Sequence, residues 1–296
     1  MNRGMTTDVL LETMSSTRDF LTATVKSCLA QVRCDVRKVV ECSPDEELVH
    51  RLRIGLRHLR TVLRELRADR FGADVAWEKV LRSAYRELGR HRDRAIVLPA
   101  VRAELYAAGC PAIDSLPPSR PVRSPQDVVR TPRFQHVLRG IRAFAHRMDD
   151  TGGAKGSVDK PAREFLAKQL HKLHRLLARD ADRFSRIGSA RQHRVRKRLE
   201  RLLCLSAFAT TLFIPGSVTR DVAKWRDAET DLGRANDLRS ATPLLKIRPS
   251  DTPGERFAAR WLGRRRRTSA RRCQKELCRV IQKTVFWGSG VPVPGT

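Results

Sequence analysis

One predicted helix carries a row of cations that faces away from its apolar side. Four leucines at intervals of three or four residues give this helix a face for the protein core, and they are Leu52, Leu56, Leu59 and Leu63. A second face holds only basic side chains, which are His50, Arg53, Arg57, Arg60 and Arg64. Like charges at this spacing cost roughly 0.2–0.5 kcal/mol per pair. An ordinary solvated face is the alternative, but the lack of an acid on this face favours a bound anion.

The second half of the chain contains a less uniform version of this basic face. Its candidate binding residues are His193, Arg196, Lys197 and Arg201. Glu200 stands where Arg57 stands in the first half, and Leu203 stands where Arg60 stands. We therefore expect the two halves to bind an anion unequally, with the first half contributing more.

A Leu-Gly-Arg motif also occurs once in each half. It begins at Leu88 and again at Leu232, and an aspartate follows each copy, Asp93 and Asp237. A glycine inside a helix costs about 1 kcal/mol relative to alanine, so its recurrence predicts close packing between helices. We expect the two aspartates to be partners of arginines. The candidates that would reach the anion from these helices are Arg90, Arg92 and Arg234.

Three short motifs recur in the same order at a nearly constant offset. The motif at Arg18 recurs 145 residues later, the one at His50 recurs 143 residues later, and the one at Leu88 recurs 144 residues later. This order indicates an internal duplication. Between breaks the apolar residues recur with helical periodicity, and no alternating strand pattern is evident. The sequence therefore predicts an all-α fold of two pseudosymmetric four-helix bundles around a basic central groove or pore.

Glycine and proline clusters set the expected boundaries. We predict a single domain over 8–287, with a first repeat at about 8–147, a linker at 148–157, a second repeat at about 158–287 and a tail at 288–296. The segments at 213–217 and 249–254 are predicted turns. The expected helices lie near 9–41, 46–68, 74–109 (with or without a break), 126–147, 158–187, 190–212, 218–246 and 255–285.

The composition narrows the class of partner. The chain of 296 residues has 60 basic and 32 acidic side chains, and its formal net charge is +28. A field of this size attracts polyanions, and arginine, the commoner cation, matches phosphate oxygens well. Aromatic residues make up only 5% of the chain, which disfavours a reader of single-stranded nucleic acid by base stacking. Seven scattered cysteines and the absence of a long apolar run predict a cytoplasmic protein with no membrane span.

The pattern resembles the CHAD family, the conserved histidine α-helical domain, over about residues 8–287. The residues that carry the resemblance are Val49, His50, Arg53, Arg57, His58, Arg60, Leu88, Gly89, Arg92, Asp93, their second-half counterparts, and Phe286 with Trp287. The resemblance implies two pseudosymmetric helical bundles whose conserved histidines and basic residues line a positive groove. It also implies binding of inorganic polyphosphate and, as for several bacterial members, association with polyphosphate granules. Some members are fused to a triphosphatase-type domain, for which this chain has no room, so we expect a stand-alone domain.

Two other functions stay open at this point. The net charge alone would suit a nonspecific nucleic-acid-binding protein, and a polyphosphate-processing enzyme is a third reading. We expect no enzymatic activity, no cofactor and no metal site, because no nucleophile–base arrangement is evident and His171 with His174 lacks a further ligand. The basic run at 264–272 is either an extension of the polyanion surface or a solvated patch.

Overall fold

A computed structural model of the chain describes residues 16–42, 44–68, 71–111, 122–150, 161–245, 252–281 and 285–288. The helices of the first half are α1 (Thr17–Glu41), α2 (Glu46–Ala68), α3 (Val75–Arg92), α4 (Leu98–Ala107), α5 (Pro125–Arg130) and α6 (Pro132–Asp150). Those of the second half are α7 (Ala162–Ala181), α8 (Ser189–Ala207), α9 (Pro215–Leu244) and α10 (Pro253–Ile281). Within these described ranges there is no β-strand, so the predicted all-α class is confirmed.

Local sequence signals explain where several helices begin. The Ser16 hydroxyl accepts a hydrogen bond from the backbone N–H of Asp19 at 3.0 Å, which caps α1. Ser124 caps α5 in the same way. The helices α9 and α10 begin at Pro215 and Pro253, where a missing backbone N–H costs no helical hydrogen bond. The predicted turn at 213–217 is therefore shorter than expected. Of the turn predicted at 249–254, residues 253 and 254 belong to α10, and residues 249–251 lie outside the described part of the chain.

Each half packs four helices around an apolar core. In the first half α1 contacts α2 and α6, and α3 also contacts both. In the second half α7 contacts α8 and α10, and α9 also contacts both. The closing Phe286 and Trp287 are buried against Trp225 of α9. One continuous cluster of buried apolar residues extends through both halves, so the halves share a core.

Two features differ from the sequence-based expectations. Helix α6 continues to Asp150 and buries Met148, so the linker predicted from 148 begins too early, and its part at 151–157 lies outside the described residues. The long third helix is interrupted by a π-helical segment, Asp93–Val97, within the range for which a break was allowed. The recurrent glycine does not mark close packing between helices. Gly233 has no atom within 4 Å of an added Cβ, and Gly89 would meet only the Arg53 guanidinium, at 3.5 Å.

The contact between α2 and α8 joins the two halves. The rings of His58 and Phe208 meet edge to face, with centroids 5.8 Å apart. Arg201 donates a hydrogen bond of 3.0 Å from Nε to the buried carboxylate of Glu65. Residues 143 apart are equivalent in the two repeats, so Arg201 is the counterpart of His58, and Phe208 is the counterpart of Glu65. The same pair of positions therefore meets twice, once in each direction. A twofold relation produces reciprocal contacts of this kind, and they support the predicted duplication.

Candidate polyanion-binding site

The arginines of the α2 basic face do not lack acidic partners. Arg57 donates to Glu229 of α9 at 3.0 Å and lies 3.6 Å from Glu200 of α8. Arg60 donates to Glu78 of α3 at 2.8 Å. The expectation that no acid relieves this face is therefore wrong, because helical periodicity reveals only the acids of α2 itself. The compensating carboxylates come from three other helices.

The compensation is incomplete around Glu78. Its Oε1 atom lies 2.8 Å from Arg60, 3.6 Å from Arg64 and 3.5 Å from Arg82. Burial raises the pKa of this carboxyl, but the hydrogen bond from Arg60 and the nearby guanidinium charges outweigh it and lower the pKa overall. One carboxylate charge therefore faces three permanent positive charges.

A fourth cation of this group comes from the second half. Burial first, then the charges of Arg60, Arg64 and Arg82, lowers the pKa of the Lys197 ammonium against the opposing effect of Glu200. We call Arg60, Arg64, Arg82 and Lys197 with Glu78 the Glu78 cluster. Three of its four cations are predicted binding residues, and the structure brings these residues from both halves together.

The second basic group lies on α8 and α9. Arg239 lies with its Nη2 atom 2.8 Å from Nδ1 of His193, and both line a small pocket of about 30 Å³ with Arg196. Arg196 forms an ion pair with Glu200, with its Nη2 atom 2.8 Å from Oε1. Burial and the charges of Arg239, Lys197 and Arg196 lower the pKa of His193 to about 4. The imidazole is therefore neutral at pH 7 and can accept a hydrogen bond from Arg239.

The first-half counterpart of this pocket surrounds His50. This pocket has a volume of about 190 Å³, and its lining includes His50, His91, Arg92 and the acidic start of α2. Burial first, then the charges of Arg53, Arg92 and Arg57, lowers the pKa of His50 against the opposing effect of Glu47. Histidine protonation at neutral pH is thus disfavoured in the free protein at both His50 and His193.

Two further predicted residues are held by contacts rather than free. Arg92 donates two hydrogen bonds to Asp237, at 3.0 and 3.3 Å, which is the arginine partner expected for this aspartate. Arg53 lies over the Tyr85 ring, with its guanidinium carbon 5.1 Å from the ring centroid. Both side chains are half-buried at the junction of α2, α3 and α9.

The remaining predicted residues fall outside the two basic groups. Arg201 pairs with the buried Glu65 between the halves, so its first role is structural. Arg90 and Arg234 are exposed, and within the described residues neither forms a contact with the Glu78 cluster. Arg82, which is four residues from Glu78 on α3, was not among the residues predicted from the sequence. Nor was Arg239, whose position depends on packing between helices and carries no local signal.

The lowered histidine pKa values predict how stability depends on pH. Burial and neighbouring arginines lower the pKa of His58 and of His193 from 6.5 to about 4. Between these values the unfolded chain binds more protons than the folded one, so stability should fall as the pH decreases from about 6.5 to about 4. Urea unfolding at pH 7.5 and pH 5 should show a lower midpoint at pH 5.

A matched variant separates the histidines from other titrating groups. His193→Asn keeps a hydrogen-bond acceptor for Arg239 but removes one titrating ring, so its midpoint should change less between the two pH values. An equal or higher midpoint at pH 5 in the wild-type protein would contradict the assignment of neutral histidines.

The described ranges offer little support for a metal site or a membrane span. They contain no group of three His, Cys, Asp or Glu residues placed to hold a metal ion. His174 instead packs its ring edge to face against Trp287, with centroids 5.7 Å apart. Within the same ranges, no helix is both long and apolar enough to cross a lipid bilayer.

Comparison with known proteins identifies the family. The CHAD domain profile matches residues 23–246, and the chain therefore belongs to the CHAD domain family. The fold is similar to the crystal structure of the CHAD domain from the plant Ricinus communis, with a TM-score of 0.67 and 20% sequence identity. That match covers 89% of this chain and 92% of the plant chain. No curated protein sequence matches this chain.

Proposed function

We propose that this protein binds inorganic polyphosphate without catalysing its conversion, and that the Glu78 cluster is the centre of the site. The observation that carries the proposal is the approach of Arg60, Arg64 and Arg82 to a single carboxylate oxygen. Guanidinium groups have further donors that can reach phosphate oxygens in directions away from Glu78. Lys197 adds a point charge beside them. The implied ligand of the family, a chain of phosphates, fits this chemistry.

The same cluster favours a polyvalent anion over a simple one. Glu78 already neutralises part of the local charge, so a singly charged anion would gain little by entering. A polyphosphate chain brings about one negative charge per phosphate and can contact several cations at once. Glu78 would therefore disfavour binding of weakly charged anions, since specificity can come from repulsion of a competitor as well as from attraction of the ligand.

The aromatic residues near the cluster argue against recognition of bases. Tyr85 has the guanidinium groups of both Arg53 and Arg60 over its ring, at 5.1 and 5.4 Å from the centroid. This ring face is therefore covered by protein and does not offer a base-stacking platform. Polyphosphate has no bases, so its binding does not require a free aromatic ring face.

Competitive titration tests the proposal. At about 150 mM salt, long-chain polyphosphate should bind more tightly than duplex DNA of equal phosphate content. Its affinity should fall linearly on a logarithmic salt scale as counterions are released. Equal or tighter binding to DNA would favour the nonspecific nucleic-acid reading instead.

The same samples test the non-catalytic part of the proposal. Incubation of the protein with polyphosphate and Mg²⁺ or Mn²⁺ should release no orthophosphate. Steady release that depends on the metal would support a polyphosphate-processing enzyme. The proposal extends to residence at polyphosphate granules in the cytoplasm, where a fluorescent fusion should colocalise with them.

A further inference from the structure

A second row of arginines lies on α10 and differs from the row on α2 in one respect. At about 100° per residue, five of its side chains fall within one narrow stripe. They are Arg256, Arg260, Arg264, Arg267 and Arg271. With a rise of about 1.5 Å per residue, the stripe is about 22 Å long. All five side chains are exposed.

Unlike the α2 arginines, the stripe has no acidic compensation in the described part of the chain. There, no carboxylate lies within ion-pair distance of any of its five members. The neighbouring arginines that do form ion pairs, Arg265 with Glu104 and Arg272 with Asp231, lie on other sides of α10. Like charges three or four residues apart repel, so a bound polyanion would stabilise this helix. A face of uncompensated cations, which periodicity wrongly suggested for α2, is therefore present on α10 in the described part of the chain.

Helix α9, which packs against both α10 and α8, contributes Arg239 to the second basic group. Arg266 is adjacent to the stripe in sequence, and its charge contributes to the lowered pKa of Arg239 on α9. Arg239 in turn contacts His193 and acts electrostatically on it together with Arg196 and Lys197. Lys197 belongs to the Glu78 cluster. Basic side chains on α8, α9 and α10, three helices that pack in series, therefore act on one another electrostatically.

We propose that the α10 stripe is a second binding surface for the same polyphosphate chain that the Glu78 cluster binds. This inference rests on the proposed function and adds to it a dependence on chain length. A short chain would occupy the cluster alone, whereas a long chain would continue past Arg239 and Arg266 onto the stripe. The second contact is then intramolecular, so it raises the affinity through a high effective concentration.

The surroundings of the stripe favour a flexible polyanion over a membrane. Helices that insert into a lipid interface expose large apolar residues beside their cations. Among the described residues the exposed large apolar side chains are Val75, Tyr106 and Ile214, and none lies on α10. A flexible phosphate chain can turn from the cluster onto a second helix, which a stiff nucleic-acid duplex cannot do.

Two chain lengths and two matched variants test the inference. The stripe variant replaces Arg260, Arg264, Arg267 and Arg271 with glutamine. The control variant makes the same change in charge at four exposed arginines of α1 and α6, which are Arg33, Arg37, Arg139 and Arg142. Each protein is titrated with long-chain polyphosphate, with tripolyphosphate and with duplex DNA, after its folding is verified by thermal unfolding.

The stripe variant should bind long-chain polyphosphate at least about tenfold more weakly than the control variant. Its salt dependence should decrease by about 0.7–0.9 per lost phosphate contact, as for nucleic acids. Its affinity for tripolyphosphate should match that of the control. Such a result supports the α10 stripe as a second binding surface for the long chain.

Four outcomes would overturn the inference. They are an unchanged affinity for the long chain, an equal loss for tripolyphosphate, an equal loss in the control variant, and a loss confined to DNA. Each of these leaves wild-type binding of polyphosphate intact. If the wild-type protein binds neither chain length, the proposed function itself fails, and the two failures are thereby distinguishable.

Discussion

Replacing Arg64 and Lys197 together with glutamine should lower the affinity for polyphosphate by about 100-fold at low salt. A hydrogen bond to a charged group contributes roughly 1.5–3 kcal/mol, and each 1.4 kcal/mol changes an equilibrium constant about tenfold. Both side chains are exposed and belong to the Glu78 cluster, so they can be removed without opening the core. Titration with long-chain polyphosphate measures the effect.

A second pair of exposed arginines provides the control for this change. Arg139→Gln with Arg142→Gln, on α6, reduces the net charge by the same amount at exposed side chains that form no ion pair with the Glu78 cluster in the described part of the chain. This variant should stay within about twofold of the wild-type affinity. Equal losses in the two variants would mean that overall charge, and not the Glu78 cluster, determines binding.

Replacing Arg201 with methionine should destabilise the protein without revealing a binding role. The change leaves the buried carboxylate of Glu65 without its guanidinium at the contact between α2 and α8. Removing one partner of a buried ion pair typically costs about 3–5 kcal/mol. The free energy of unfolding from urea titration should decrease by this amount.

The double variant Glu65→Leu with Arg201→Met separates stability from binding. Removing both charges from a buried pair is often neutral or stabilising, so the double variant should regain most of the lost stability. It should also bind polyphosphate within about threefold of the wild-type protein. A stable double variant that binds as weakly as the Arg64 and Lys197 variant would show that Arg201 is a ligand residue after all.

The fold could be predicted because its signals are local. Leucines at three- and four-residue spacing define the core face of α2, and the structure buries all four of them. Acidic residues at the start of α2 and prolines at helix starts set several boundaries. The reciprocal contacts of His58 and Arg201 are also consistent with the offset found in the sequence.

The electrostatics of the site could not be predicted in the same way. Glu78, Glu200 and Glu229 reach the α2 face only because α3, α8 and α9 pack beside it. These carboxylates could not be inferred from the sequence of α2. Likewise, Arg82 and Arg239 come into the basic groups through contacts between helices. A basic face inferred from one helix therefore overestimates the free charge of that face.

The basic face of the second repeat differs from that of the first at two positions, and the structure gives a physical reason for each. Leu203, which stands in the position of Arg60, is buried in the apolar core. Glu200, which stands in the position of Arg57, lies 3.6 Å from Arg57 itself and 2.8 Å from Arg196. The acid thus neutralises cations of both halves. The predicted dominance of the first half stays a prediction, and Lys197 is the second-half residue that bears on it most directly.

A crystal structure of the complex with a short polyphosphate would test the central claim most directly. We expect phosphate oxygens within about 2.7–3.2 Å of the side-chain nitrogens of Arg64, Arg82 and Lys197, with Glu78 still paired to Arg60. Phosphates bound only at sites away from this cluster would contradict the account.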